Sequence, residues 1–180
     1  MAEFLDIVDA SGAPTGETVE RTFAHQNGIP HRTAHVWLTR KNGTGHELLL
    51  QKRSDNKDSY PGCYDISSAG HIPAGDEVID SALRELSEEL GITADAEDLI
   101  DCGKRTIHMD AVFYGKEFHD RQVSTVYLLK ADPKAFSLQK EEVSEVRWFD
   151  ITYCIDHLAD PAFPNCLVEE ELRMLEPFLE

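Results

Sequence analysis

The chain has 180 residues, 41% apolar and 28% charged, which supports one folded domain with a real core and argues against disorder. Seventeen basic against 34 acidic residues leave a formal charge of −17, which repels nucleic-acid backbones and excludes a basic groove for DNA or RNA. No apolar run approaches the roughly 18 residues needed to cross a bilayer, and the acidic segment from Met1 to Gly12 lacks the pattern of a signal peptide. A cytoplasmic protein without a membrane partner is therefore expected.

In chain order, Leu5-Asp6-Ile7-Val8 reads as a short strand followed by a turn at Ser11-Gly12-Ala13-Pro14. His31 to Arg40 forms a strand with Val36 and Leu38 on one side. After the turn Lys41-Asn42-Gly43, Glu47 to Gln51 completes a hairpin. Asp55 to Gly62 is polar and contains Pro and Gly, hence a loop, and Tyr64 to Ser68 resumes an extended pattern that runs into Gly70. Asp76 to Leu90 is the strongest helix: Ile79, Ala82, Leu83, Leu86 and Leu90 recur at helical spacing, and Gly91 stands at the stop position. Further strands are expected around Ile107 to Tyr114, Ser124 to Lys130 and Val146 to Phe149. An amphipathic helix over Cys166 to Leu179 is built on Leu167, Leu172, Leu175 and Phe178. Strands around one strong central helix, with a second at the end, predict an α/β sandwich on a mixed sheet. Without CxxC pairing, Cys63, Cys102, Cys154 and Cys166 read as free thiols.

The chemistry sits on the central helix. Glu85, Glu88 and Glu89 stand at i, i+3 and i+4, neighbours on one helical face. Three carboxylates there repel one another unless a cation lies among them, and hard divalent cations such as Mg²⁺ or Mn²⁺ prefer such oxygens. A cation would also solve a second problem, because a surface this acidic repels a phosphorylated small molecule.

Written out, the stretch is Gly70, five residues, Asp76, seven residues, then Arg84-Glu85-Leu86-Ser87-Glu88-Glu89-Leu90-Gly91-Ile92. It resembles the Nudix box, spanning residues 70–92 of one domain that covers 1–180, and departs from it only where the family's Glu is Asp76. The resemblance implies an α/β/α sandwich with a central mixed β-sheet and an Mg²⁺-dependent (or Mn²⁺-dependent) pyrophosphohydrolase. Glu85, Glu88, Glu89 and the backbone of Gly70 would hold the metal. Arg84 would orient the carboxylates, and Glu88 or Glu89 would serve in catalysis beside it. A loop acid, Glu141, Glu142 or Glu145, is an alternative proton acceptor. The partner would be a small-molecule diphosphate, such as a nucleoside diphosphate derivative, and a homodimer is a fair prior.

Beyond the box, the order of His25, His31-Arg32-Thr33-Ala34, Pro61-Gly62 and Gly70-His71 is similar to the isopentenyl-diphosphate isomerase branch. That branch requires a cysteine immediately before the Gly-His pair and a glutamate on a later strand. Here these positions are Ala69 and Gln122, so the resemblance implies a hydrolase. Arg53 and Lys57 match the branch's phosphate-contacting positions, and His71 is a further candidate for substrate contact. His25, His31 and His71 match positions that hold a metal in the isomerase, with Asp120 a remnant of its acidic ligands. A non-catalytic nucleotide-binding protein on the same fold is the remaining alternative.

Overall fold

A computed structural model describes residues 2–180. A two-stranded antiparallel ribbon, β1 (Phe4–Val8) and β2 (Pro14–Glu20), leads into a short helix, α1 (Arg21–Asn27). The main sheet contains β3 (His31–Asn42), β4 (Gly45–Arg53), β5 (Tyr64–Asp65), β6 (Ser68–His71), β7 (Leu99–Phe113), β8 (Lys116–Lys130) and β9 (Val143–Asp150). Its order is β5-β4-β3-β8-β7, with β6 on β3 and β9 on β4; β3 and β8 run parallel while the other pairs are antiparallel. The sheet is therefore mixed.

Helix α2 (Val78–Leu90) covers one face of this sheet, and α3 (Ile151–Asp156) and α4 (Glu169–Leu175) cover the other. Strand periodicity explains the layers, because successive side chains point to opposite faces. Ala34, Val36 and Leu38 of β3 meet Ala82, Leu86 and Leu90 of α2, whereas Trp37 joins Leu48, Leu50, Leu172 and Leu175 on the far side. Residues 33–39 of β3 are buried without interruption, as a strand sandwiched on both faces must be. The α/β/α sandwich expected from the resemblance is present.

Several boundaries differ from expectation. The central helix starts at Val78, and Asp76 lies in the preceding turn, where its N–H bonds Pro73 O at 3.0 Å. At the other end, Gly91 adopts φ 69° and donates to Ser87 O, closing the helix at the predicted residue. Strands β7 and β8 are 15 residues each, far longer than the apolar cores that mark them. The expected segments are Ile107 to Tyr114 and Ser124 to Lys130; β7 extends back to Leu99 and β8 back to Lys116 through stretches with polar residues on both faces, and thirteen pairings from Leu99↔Leu129 to Phe113↔Lys116 hold the two strands together. The final helix shrinks to α4 and a 3₁₀ turn at Glu176–Phe178. Cys166 N–H is committed to Tyr64 O beside β5, and Pro177 cannot continue an α-helix. Helix α1 gave no periodic signal: at seven residues it depends on the Glu20 carboxylate, which caps Phe23 N–H, and on Ala24 packing against Leu5 and Val19.

The ribbon positions the loop before α2. Asp6 accepts from Arg32 Nη2 at 2.9 Å and from Gly75 N–H at 3.0 Å, Ala74 N–H bonds Phe4 O, and Arg32 also reaches Asp76 O.

Candidate active site

Helix α2 lays its acidic face along β6. Glu89 is 6% exposed and accepts from Ala69 N–H at 3.2 Å and Gln51 Nε2 at 3.3 Å. Burial pushes its carboxyl up to about 7, and the Glu85 charge adds to the rise. Glu85 is half-buried, also raised by burial, and packs over Gly70. A Cβ at residue 70 would lie 2.5 Å from Glu85 Cδ, so this approach requires glycine. Glu88 is exposed on the same face. Arg84 donates to Asp76 Oδ2 at 3.0 Å and lies 3.7 Å from Glu85 Oε1. Asp76, with its short arm outside the helix, thus anchors the guanidinium that flanks Glu85.

A cavity of about 1410 Å³ has Ala69 and Gly70, on which Glu89 and Glu85 sit, in its wall together with Thr33, His35 and Trp37. That volume exceeds the roughly 300–1,000 Å³ of ordinary small-molecule pockets. Glu141 and Glu142 stand at its rim, and Glu145 is not in its wall. Lys57 is ion-paired with Glu142, and Tyr64 Oη donates to Glu145. Arg53 also lines the cavity, with its guanidinium donating to Asp65 Oδ2 at 2.9 Å, Ser59 O at 2.9 Å and Ser59 Oγ at 3.1 Å. Both predicted phosphate-contacting cations are thus at the cavity, each held by protein partners.

The loop that Arg53 ties down forms part of the roof. Tyr114, at the tip of the β7–β8 hairpin, donates to Lys57 O at 3.2 Å, and Tyr60 meets Phe113 with ring centroids 5.0 Å apart. Tyr60 and Tyr114 have φ of 47° and 52°, left-handed values that cost a non-glycine residue energy and that cluster at functional sites.

The histidines form a second constellation. His25, His31 and His71 bring one ring nitrogen each within 4.8 Å of one another, and His25 Nε2 lies 3.1 Å from His71 Nε2. Asp120 Oδ1 is 3.7 Å from His25 Nδ1 and 4.0 Å from His31 Nε2. All three of these last atoms are buried without a hydrogen-bond partner among the described residues. Burial lowers His25 to about 3 and drives His31 and His71 down as well, leaving neutral imidazoles; burial also raises Asp120 to about 6.

Sequence reasoning missed the cavity floor. Glu171 of α4, 2% exposed, accepts from His35 Nδ1 at 2.8 Å, Trp37 Nε1 at 2.9 Å and Arg105 Nη1 at 3.0 Å. Burial opposes its charge, but His35 and these hydrogen bonds bring its carboxyl down to about 2. In the sequence Glu171 is the third residue of an acidic run, with nothing to separate it from solvated Glu169 and Glu170.

A mixed sheet between helical layers, with an arginine and glutamates on α2 folded onto a glycine strand, defines a Nudix-type domain. Residues 29–164 match the family model of the NUDIX domain, and the chain belongs to that family. Nudix hydrolase 3 of Arabidopsis thaliana is 44% identical over 167 residues, which are 89% of this chain but only 21% of that protein. An isopentenyl-diphosphate delta-isomerase of Cereibacter sphaeroides is 32% identical over 139 residues, 74% of this chain and 71% of that one. Among solved structures, DR0079 from Deinococcus radiodurans shares the fold with a TM-score of 0.69 at 20% identity, covering 97% of this chain and 98% of that one.

Ala69 and Gln122 both face the cavity. Gln122 accepts from Thr33 Oγ1 at 3.1 Å and donates to Asp120 Oδ2 at 2.9 Å. The thiol and the acid of the isomerase pattern are therefore replaced by a methyl group and a neutral amide. Cys166 lines the same cavity, but burial holds its thiol well above the usual range and away from the reactive thiolate.

Proposed function

We propose that the protein hydrolyses a diphosphate linkage in a small molecule, with Mg²⁺ or Mn²⁺ held by Glu85, Glu88, Glu89 and the carbonyl of Gly70. The observation that carries this reading is the seating of Glu85 over Gly70 and of Glu89 on Ala69 N–H, beside the rim of a large cavity. The donor set fits a hard divalent cation: it is all oxygen, and the carboxyls of Glu85 and Glu89, raised first by burial and then by their mutual or neighbouring negative charge, would be relieved by a bound cation. Such an ion, when bound, polarises phosphoryl oxygens and acidifies water.

The chain's own residues do the rest. Arg84 holds Glu85 in place from its anchor on Asp76. Arg53 and Lys57 stand in the cavity wall, each paired with a protein carboxylate that a substrate phosphate would have to share or displace. Of the three loop glutamates, Glu141 is at the rim and its carboxylate has no protein partner among the described residues, whereas Glu142 and Glu145 are engaged. Glu141 accepts the proton of the attacking water. A Glu141→Gln variant is expected to lose roughly a hundredfold in kcat with KM little changed. Steady-state kinetics with Mg²⁺ on a panel of nucleoside diphosphate derivatives, coenzyme A and isopentenyl diphosphate, with products identified, tests both points. Tight nucleotide binding without phosphate release would favour a binding protein, and interconversion of the five-carbon isoprenoid diphosphates would favour an isomerase.

The histidine cluster supports a second cation. Neutral imidazoles suit zinc, manganese or cobalt better than magnesium. Protein dialysed against Mg²⁺ is expected to retain about one transition metal per chain by elemental analysis, and His31→Ala is expected to lose it. Equal metal content in both proteins would remove this reading.

A further inference from the structure

We propose that His35 is a substrate-binding residue, donating from Nε2 to an anionic oxygen of the diphosphate compound that enters the cavity. The inference rests on the hydrolase reading for the identity of the ligand, but not for the site itself.

Three observations converge on this ring. Its Nδ1 is committed to Glu171 Oε1 at 2.8 Å, and that same oxygen takes Trp37 Nε1–H while the other takes Arg105. Trp37 and Arg105 can only donate, so the oxygens of Glu171 are acceptors and Nδ1 carries a proton. Next, His35 is 7% exposed and lines the cavity, and its Nε2 has no hydrogen-bond partner among the described residues, nor is it sealed from the cavity. A polar atom left without a partner in so buried a ring is costly unless something from the cavity meets it. Finally, most of the other wall cations are already paired within the protein: Arg21 with Glu3, Arg53 with Asp65, Lys57 with Glu142 and Arg105 with Glu170 and Glu171, which leaves Lys116 at the β7–β8 hairpin without an ion pair among the described residues. His35 is paired with Glu171 through Nδ1, and its Nε2 edge alone is left to the cavity.

The pairing with Glu171 supports the direction of the bond. Burial alone would drive the ring to neutrality, but the Glu171 carboxylate, its hydrogen bond and the charge of Asp65 outweigh burial and the opposing Arg105, raising His35 above its ordinary value. Asp120, on β8, is a further acid whose ionisation responds to His35. The ion pair with Glu171 therefore favours the protonated ring, the form in which Nε2 carries a hydrogen toward the cavity. Trp37 and Arg105 lock the carboxylate that aims it, so little side-chain freedom is lost on binding. His35 and Ala69 are directly paired on β3 and β6, and Ala69 N–H holds Glu89. The donor thus stands one strand pairing away from the residue that holds Glu89.

The test compares wild type, His35→Phe and His35→Gln, each first shown by thermal melt to be folded. Gln keeps an N–H near the Nε2 position without the charge. For substrates from the diphosphate panel, His35→Phe is expected to raise KM roughly tenfold or more, with the loss carried by KM, and His35→Gln to fall between it and wild type. Competition by inorganic pyrophosphate locates the contact. A parallel rise in its Ki places the oxygen on the diphosphate, and an unchanged Ki beside a raised KM places it on the attached group. A folded His35→Phe enzyme with unchanged KM on every substrate overturns the proposal. If wild type hydrolyses none of the panel, the hydrolase reading fails, but calorimetric binding of ADP-ribose and coenzyme A still decides the role of His35. Weaker binding by His35→Phe supports it; equal or absent binding in both proteins overturns it.

Discussion

Replacing Glu89 with glutamine is expected to lower turnover by roughly a thousandfold and, in the same protein, to raise the melting temperature of the metal-free form at pH 8. Both effects arise from one buried carboxylate. In the folded state burial lifts its carboxyl from the usual 4.5 to about 7. Between these values the folded chain binds more protons than the unfolded chain, so stability falls as pH rises through that window and remains lost above it. The loss is on the order of 3 kcal/mol. Glutamine retains an oxygen for Ala69 N–H and Gln51 Nε2, both of which converge on Glu89 Oε2, and it carries no charge. Calorimetry should find the two proteins melting close together near pH 5 and the variant melting higher at pH 8. Added Mg²⁺ should then stabilise wild type and leave the variant nearly unmoved. Wild type melting as high as the variant at pH 8 without metal would falsify the buried-charge account.

The second large effect is expected from Gly70→Ala. The backbone at Gly70 is not in the left-handed region, so alanine is tolerated by the main chain itself. The added methyl group instead collides with Glu85, whose Cδ would be 2.5 Å away. A flexible side chain can move aside, and the fold should survive with a small change in melting temperature. The carboxylate cannot move without leaving its place beside Glu89. Metal affinity is expected to weaken by roughly ten- to a hundredfold and activity at limiting metal to fall with it. Titration of activity against Mg²⁺ should show partial rescue at high concentration. A variant with wild-type metal dependence would remove Gly70 from the site.

These two residues mark how far the chemistry was legible beforehand. The spacing of Glu85, Glu88 and Glu89 placed three acids on one helical face, and the box linked them to Gly70, fifteen residues before Glu85. Helical periodicity is local, so the core of α2 and its stop at Gly91 could be read from neighbouring residues alone. The same reasoning failed where structure depends on distant partners. The polar ends of β7 and β8 exist because each strand has the other, and α1 forms because Ala24 reaches Leu5 and Val19.

The cavity floor shows the limit most clearly. His35 and Glu171 are separated by 136 positions and bring no motif with them. Their pairing follows from β3 crossing under α4, a consequence of sheet order rather than of any local signal. Arg53 and Lys57 make the complementary point: their positions matched phosphate-contacting cations, and only the packed structure brings Asp65 and Glu142 to them. By itself, then, the sequence determined the sandwich class, the acidic helix and the family, because these rest on periodicity and short-range spacing. Tertiary structure alone decided which acids are buried, which cations are already paired and which donor opens on the cavity, because charge and burial are set by neighbours that the chain supplies from far away.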